Sequence, residues 1–326
     1  MLKKKFLIKI LSSIVLSISG LSHCTILDPN EPGNLVPPTV DEDENLPSLK
    51  INGTNLHLQT FGDPANKKVF VLHGGPGMDS RYMLKLKSLQ DQFYVIIFDQ
   101  RGAGLSRRHD YDIYNTELYL SDLNALVNYF TNPAEQVIFI GHSWGGIYAN
   151  AYINKYPAKV SQVVHIESGA YKGSRQKNTV TYSLSDTMPN EFIWNNEFIS
   201  NDSHAKADYS LMVSIAEDPH PLYHFNHSDP MPWYRYGAVV SEALPNSRTD
   251  ANGNPSWDET KNLYLFTNEA LFIRGELNEI MNYEFHLEQM SDYPNASLVT
   301  INSVGHDLIW VKYAEVETAI RNYLIP

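Results

Sequence analysis

At 326 residues the chain has length for one large domain or two small ones and ample material for a buried core. Its 43% apolar content, with 18 glycines and 18 prolines, is that of an ordinary globular protein. A formal net charge of -12, with no basic stripe beyond the first ten residues, argues against a nucleic-acid partner.

Residues 1–24 read as an export signal. Lys3, Lys4, Lys5 and Lys9 precede an apolar run from Phe6 to Gly20 that is short for a membrane span, and small residues follow. The single cysteine, Cys24, comes directly after Leu21-Ser22-His23 and cannot form an internal disulfide. Its placement resembles a bacterial lipoprotein lipobox, although His23 departs from the small residue usual there. The expectation is an exported protein held to the cell envelope by a lipid on Cys24, with ordinary cleavage and release as the alternative. Residues 25–47, rich in Pro, Asn and acid, lack an apolar period and read as a solvated tether.

From Leu49 the pattern becomes short alternating strands, with Asn52-Gly53 marking a hairpin. Buried strands are expected at Val69 to Leu72, Tyr94 to Phe98, Gln136 to Ile140, Val160 to Ile166, Ala270 to Arg274 and Ser297 to Ile301. Helical spacing appears around Leu118 to Phe130, after residue 146, around Ile280 to Met290, and from Leu308 to Tyr323. Strands alternating with helices predict an α/β fold with a mostly parallel sheet covered on both faces. The alternation stops over 171–261, an aromatic, proline-interrupted stretch that reads as an inserted helical cap over the catalytic edge of the sheet. The core is thus 48–170 with 262–326.

Gly141-His142-Ser143-Trp144-Gly145-Gly146 sits between a strand and a helix. That is the context in which a tight turn presents a serine nucleophile above a sheet. Acyl transfer by Ser143 needs a base, a group that orients and charge-stabilises the base, and N–H donors for the oxyanion. His306, in a Gly-His loop after the last strand, is the candidate base. The backbone N–H of Trp144 and that of Gly75, within His73-Gly74-Gly75-Pro76-Gly77, are the candidate oxyanion donors. His73 and Arg101 read as structural members of their loops. A cap segment with Asp218, His220, His224 and His227 lacks the spacing of a zinc site, and Asp250 to Asn254 reads as a turn because Pro255 stands where a calcium loop needs glycine.

Taken together, His73-Gly74-Gly75-Pro76-Gly77, Asp99-Gln100-Arg101-Gly102-x-Gly104-x-Ser106, Gly141-His142-Ser143-Trp144-Gly145-Gly146 and Gly305-His306 resemble the proline iminopeptidase branch of the α/β-hydrolase fold, from about residue 50 to the C-terminus. The resemblance implies an eight-stranded-type sheet with a cap and metal-free, cofactor-free release of an N-terminal residue, preferably proline, through an acyl-enzyme on Ser143. It also implies that cap acids such as Glu191, Glu197, Glu217 or Glu242 bind the α-amine. Relatives carry Gly-x-x-Asp after the next-to-last strand, where this chain has Gly275-Glu276-Leu277-Asn278. An amide cannot stabilise an imidazolium by charge, so another carboxylate must take the role: Glu167 first, at the end of the strand after the elbow, then Glu279, then Glu276.

The expectation is therefore a serine aminopeptidase acting on a small peptide or acyl substrate. An esterase, lactonase or amidase is the alternative within the class. A non-catalytic binding lipoprotein, with Asn278 as the mark of a lost triad, is the alternative outside it.

Overall fold

The computed structural model describes residues 36–176, 202–217, 221–226 and 228–325. The segment read as an export signal and Cys24 lie outside these residues, as do Glu191, Glu197, Asp218, His220 and His227, the side chain of Glu217, and the stretch read as a tether up to residue 35.

Eight strands form one sheet: β1 (Ser48–Ile51), β2 (Thr54–Phe61), β3 (Lys68–Leu72), β4 (Tyr94–Phe98), β5 (Val137–His142), β6 (Val160–Ile166), β7 (Ala270–Gly275) and β8 (Ala296–Ile301). Their order is β1-β2-β4-β3-β5-β6-β7-β8. β3 through β8 pair in parallel, while β1 and β2 form an antiparallel edge. Asn52 (φ 45) and Gly53 (φ 74) both take positive φ, as a two-residue hairpin turn of matching twist demands.

The parallel strands are apolar on both faces because both are covered. Phe70, Leu72, Ile96, Phe98 and Phe139 pack with α1 (Thr116–Phe130) and α2 (Trp144–Lys155). The alternate residues Val69, Val71, Val95, Ile97 and Ile140 pack with the 3-10 segment Arg81–Asp91 and the C-terminal helices. Asp122 of α1 is buried in a paired contact with Arg101, whose Nε and Nη2 each donate to it at 2.7 Å.

Over the carboxyl ends of the strands lie α3 (Ala205–Glu217) and α4 (Ala238–Asn246). α3 is anchored by buried Asp208, which accepts from Arg108 Nε (3.0 Å), Arg235 Nε (2.7 Å) and the Ala238 N–H (2.8 Å). The chain closes with α5 (Tyr283–Met290), α6 (Leu308–Val311) and α7 (Tyr313–Leu324). Among the described residues no helix is long and apolar enough to cross a membrane.

Three elements differ from the sequence reading. Residues 36–40 are docked and not solvated, while 41–47 stay largely exposed: Val36 and Val40 are buried, the Val40 N–H donates to Leu105 O at 2.9 Å, and Arg235 Nη1 donates to Pro37 O at 3.1 Å. Two isolated valines carry no period, which is why composition alone hid their docking. α5 starts at Tyr283 rather than Ile280: Asn282, in extended backbone, caps it there by accepting the Phe285 N–H on Oδ1 at 3.0 Å. The last helix breaks at Lys312 (φ -117, ψ 37) into α6 and α7.

Candidate active site

Ser143 stands between β5 and α2 with φ 54 and ψ -118, a backbone state that costs a non-glycine residue about 1–3 kcal/mol. The state is held by the Ser143 N–H donating to Ile166 O (2.9 Å) and by Ser143 O accepting from Gly146 N–H (3.0 Å). The flanking glycines are a steric necessity. A Cβ on Gly141 would fall 2.3 Å from Gly145 O, and one on Gly145 would fall 1.9 Å from Leu72 O. Trp144 opens α2, so its N–H has no partner within the helix and remains available to an oxyanion.

His306 follows β8 in a loop pinned from outside by residues 221–226. Its N–H donates to Tyr223 O at 2.9 Å, and a Cβ on Gly305 would lie 2.1 Å from that same oxygen. Its Nδ1 lies 3.3 Å from Oε2 of Glu167, which directly follows β6 and is completely buried. With Nδ1 turned to the carboxylate, Nε2 is left for the serine. Ser143 and His306 line one cavity.

Glu167 is tied on every side. Its Oε1 accepts the Gly275 N–H at 2.5 Å, and its Oε2 also accepts from Asn278 Nδ2. Asn278 Nδ2 is 3.4 Å from His306 Nδ1, while Asn278 Oδ1 takes the Ile280 and Met281 N–H groups at 3.0 Å each. Those two bonds fix the amide so that its NH2, not its oxygen, faces the carboxylate. Asn278 thus occupies the place expected of an acid and serves as a donor to one. Glu279 and Glu276 point elsewhere: Glu279 is exposed and pairs with His224 at 2.8 Å, and Glu276 Oε2 accepts the Ser303 N–H at 2.9 Å.

Burial pushes the Glu167 carboxyl up to about 7, against the pull of His286 and of the Gly275 and Asn278 donors. Burial also pushes the His306 imidazole down to about 3, which keeps the ring neutral as a base requires.

The glycine-rich loop is positioned by hydrogen bonds that the motifs did not announce. The Gln100 N–H donates to His73 Nε2 (2.9 Å), so the proton of that ring is on Nδ1 and donates to Gly74 O (2.9 Å). In a trans peptide C=O and N–H point opposite ways, so holding the Gly74 carbonyl away from the site aims the Gly75 N–H toward it. Gly75 lines the cavity at φ 121, which only glycine adopts readily. Gln100 also donates to His73 O and accepts from Trp144 Nε1, each at 2.9 Å, joining the loop to the elbow.

A second chain crosses the site. The Gly74 N–H donates to Tyr82 Oη (2.8 Å), the Tyr82 hydroxyl donates to His142 Nδ1 (2.7 Å), and His142 Nε2 donates to His306 O (2.9 Å). Tyr82 and His142 were missed because neither carries a signal: one sits in a 3-10 segment and the other is the variable residue of the elbow.

The cavity encloses about 530 Å³ and is walled mainly by apolar side chains, among them Trp144, Ile147, Phe225, Trp233, Met281 and Phe285. Residues of the 171–261 stretch, such as Leu211, Trp233 and Tyr236, meet the sheet-borne Ser143 and His306 across it.

A strained serine at a strand–helix elbow, with a neutral buried histidine and a glycine-rich loop above a largely parallel sheet, defines a hydrolase of the α/β fold. The chain belongs to the alpha/beta hydrolase fold family, which matches residues 67–313. It is 27% identical over 296 residues to proline iminopeptidase PfmaB of Pestalotiopsis fici, covering 85% of this chain and 98% of that one. It is 24% identical over 292 residues to a proline iminopeptidase of Thermoplasma volcanium, covering 85% and 95%. Among solved structures, the enol-lactonase of Burkholderia xenovorans superposes with a TM-score of 0.63 at 15% identity, over 86% of this chain and 100% of that one.

Proposed function

We propose that the protein is a serine aminopeptidase of the proline iminopeptidase type, releasing an N-terminal residue through an acyl-enzyme on Ser143. The observation that carries the hydrolytic reading is the buried Glu167–His306 pair at 3.3 Å, which supports a working acid beside the base despite Asn278. In the mechanism, His306 Nε2 takes the Ser143 proton as Oγ attacks the carbonyl carbon. Glu167 stabilises the imidazolium, and the Gly75 and Trp144 N–H groups receive the oxyanion. The proton then passes to the leaving amine, and water repeats the sequence to free the acid. The end-to-end similarity to two proline iminopeptidases supports the peptide substrate. The apolar cavity favours a second reading, hydrolysis of a small ester or lactone.

The deciding experiment is hydrolysis of a prolyl-arylamide beside a short-chain aryl ester by the purified full chain, with Ser143→Ala as control. Ser143-dependent cleavage of the prolyl amide supports the peptidase, and cleavage of the ester alone transfers the assignment. Silence on both leaves the binding-protein alternative. We infer further that the chain is exported and lipid-anchored through Cys24. Labelled palmitate entering the wild type and Cys24→Ser equally, or neither, would end that reading.

A further inference from the structure

Residues 221–226 belong to the stretch read as a cap, yet they bind the loops that carry the base and its partners. Leu222 O accepts the Glu279 N–H at 3.0 Å, Tyr223 O accepts the His306 N–H at 2.9 Å, and the Asn226 N–H donates to Asp307 Oδ2 at 2.6 Å. One short segment is thereby bonded both to the loop of Asn278 and to the loop of His306. Within it His224 takes φ 51, a costly state for a non-glycine residue that persists only where the surroundings impose it. On either side of His224, the rings of Tyr223 and Phe225 meet the buried His306 imidazole. Their centroids lie 4.8 Å away at 40° and 5.7 Å away at 88°. A third ring, His142, lies 4.7 Å away at 40°.

The imidazole needs that support. Its Nδ1 is 3.3 Å from Glu167 Oε2 and 3.4 Å from Asn278 Nδ2, beyond the roughly 2.7–2.9 Å of a firm charge-assisted bond, so the acid alone orients the ring loosely. Rings packed around the imidazole restrain its side-chain rotation, because a close-packed site leaves no room for another rotamer. His142 is fixed from the core, by Tyr82 and by its own bond to His306 O. Tyr223 and Phe225 supply the remaining contacts from a separate part of the chain, and both line the cavity with Ser143.

We propose that Tyr223 is a positioning residue for the base. Its carbonyl fixes the His306 backbone, and its ring, with that of Phe225 beside it, holds the imidazole in reach of Ser143 and closed to water. This rests on the hydrolase reading above, and it makes a cap segment part of catalysis as well as of the cavity wall.

The test compares the full chain with Tyr223→Leu, Tyr223→Phe and Phe225→Leu on the better of the prolyl-arylamide and the aryl ester, with circular dichroism to confirm folding. Tyr223→Leu keeps the carbonyl and removes the ring. It should lose between about fivefold and a hundredfold in kcat, as a misplaced catalytic group does, with KM within about threefold. Tyr223→Phe keeps the ring and should recover to within about threefold of the wild type. A folded Tyr223→Leu that loses less than about fivefold in kcat, or in which only KM rises, overturns the assignment. So does a Tyr223→Phe that loses as much as Tyr223→Leu. If Tyr223→Leu does not fold, Phe225→Leu takes its place: a kcat loss of at least about threefold at unchanged KM supports the clamp, and a smaller one overturns it.

Histidine NMR on Ser143→Ala, with His306→Ala for assignment, separates the clamp from the hydrolase. The titratable groups around the ring are Glu167 at Nδ1, His142 and Tyr223 against it, and Asp307 next in the chain. The ring nitrogen shifts report protonation of the imidazole itself and not of these neighbours. Burial holds His306 down to about 3, so it should stay neutral from about pH 4.5 to 8, and Tyr223→Leu should open it to water and bring its titration into that range. Turnover that is indifferent to the Tyr223 ring removes the clamp and leaves the hydrolase. Absence of Ser143-dependent turnover removes the hydrolase, and the clamp then stands if Tyr223→Leu makes His306 titrate and falls if it does not.

Discussion

Replacing Glu167 by Gln keeps the shape of the site and removes one charge. In the resting state His306 is neutral, and the carboxylate matters when the ring takes the serine proton. At 3.3 Å, two unit charges in an effective dielectric of about 20 attract by about 5 kcal/mol. At 1.36 kcal/mol per factor of ten, that is a loss of a few thousandfold in kcat. It is the order seen when the aspartate of a serine-protease triad becomes asparagine, about 10⁴. Initial rates on the better of the amide and ester substrates at pH 8, with circular dichroism to check folding, read the effect. Glu279→Gln serves as control and should stay within about twofold, because Glu279 is exposed and faces His224. The double variant Glu167→Gln/Asn278→Asp should regain at least about tenfold over Glu167→Gln, since the Asn278 side chain already reaches 3.4 Å from His306 Nδ1. A folded Glu167→Gln that loses less than about tenfold would refute the assignment.

Activity should rise with pH through about 7 as the buried Glu167 ionises, and a kcat/KM profile flat from pH 6 to 8 would contradict this. The same raised pKa gives a stabilising contribution that is full below the ordinary 4.5 of a glutamate and is lost as pH rises through about 7. The melting temperature of the wild type minus that of Glu167→Gln should therefore fall between pH 5 and 8. His306 works in the opposite sense: depressed to about 3, it contributes stability above 6.5 that disappears as pH falls toward 3. Tyr82→Phe leaves the Gly74 N–H and His142 Nδ1 buried without partners. It should cost about 2–4 kcal/mol in urea unfolding, with kcat down roughly tenfold; unchanged kcat would deny the chain a role in positioning the loop. Asp208→Asn leaves the buried Arg108 and Arg235 without their shared charge. A loss of about 3–5 kcal/mol and a raised KM are expected, and an unaltered melting curve would show that the cap is held by packing instead.

The parts of the site legible in the sequence are those whose constraint is local. Gly141 and Gly145 must lack side chains because backbone oxygens occupy the space, so the elbow is written in five consecutive residues. The parallel strands are legible as apolar runs because both faces of the sheet are covered. What composition and spacing do not encode is long-range pairing. Glu167 meets Asn278 across 111 residues and His306 across 139, so its place at a strand end marks it only as one of three carboxylates that could take the role. Residues 36–40 fail for the reverse reason, because two valines and a few backbone contacts dock a segment whose surroundings read as solvated.

Asn278 and Glu167 are best understood as one exchange. β6 and β7 are parallel neighbours, so their carboxyl ends lie side by side below the His306 loop, and a carboxylate at either end can reach the ring. An Asp at 278 beside Glu167 would put two carboxylates within hydrogen-bonding distance in a buried site. Like charges there force one to stay protonated, so the pair would carry a single charge shared over two sites instead of one fixed on Glu167. An amide in that place does the reverse. Its NH2 donates to Glu167 Oε2, favouring the charged form, and its oxygen is occupied by the Ile280 and Met281 N–H groups. The pairing implies a definite epistasis: Asn278→Asp alone should split the acid limb into two apparent pKa values that belong to the pair, and with Glu167→Gln in the same chain the limb should return to one.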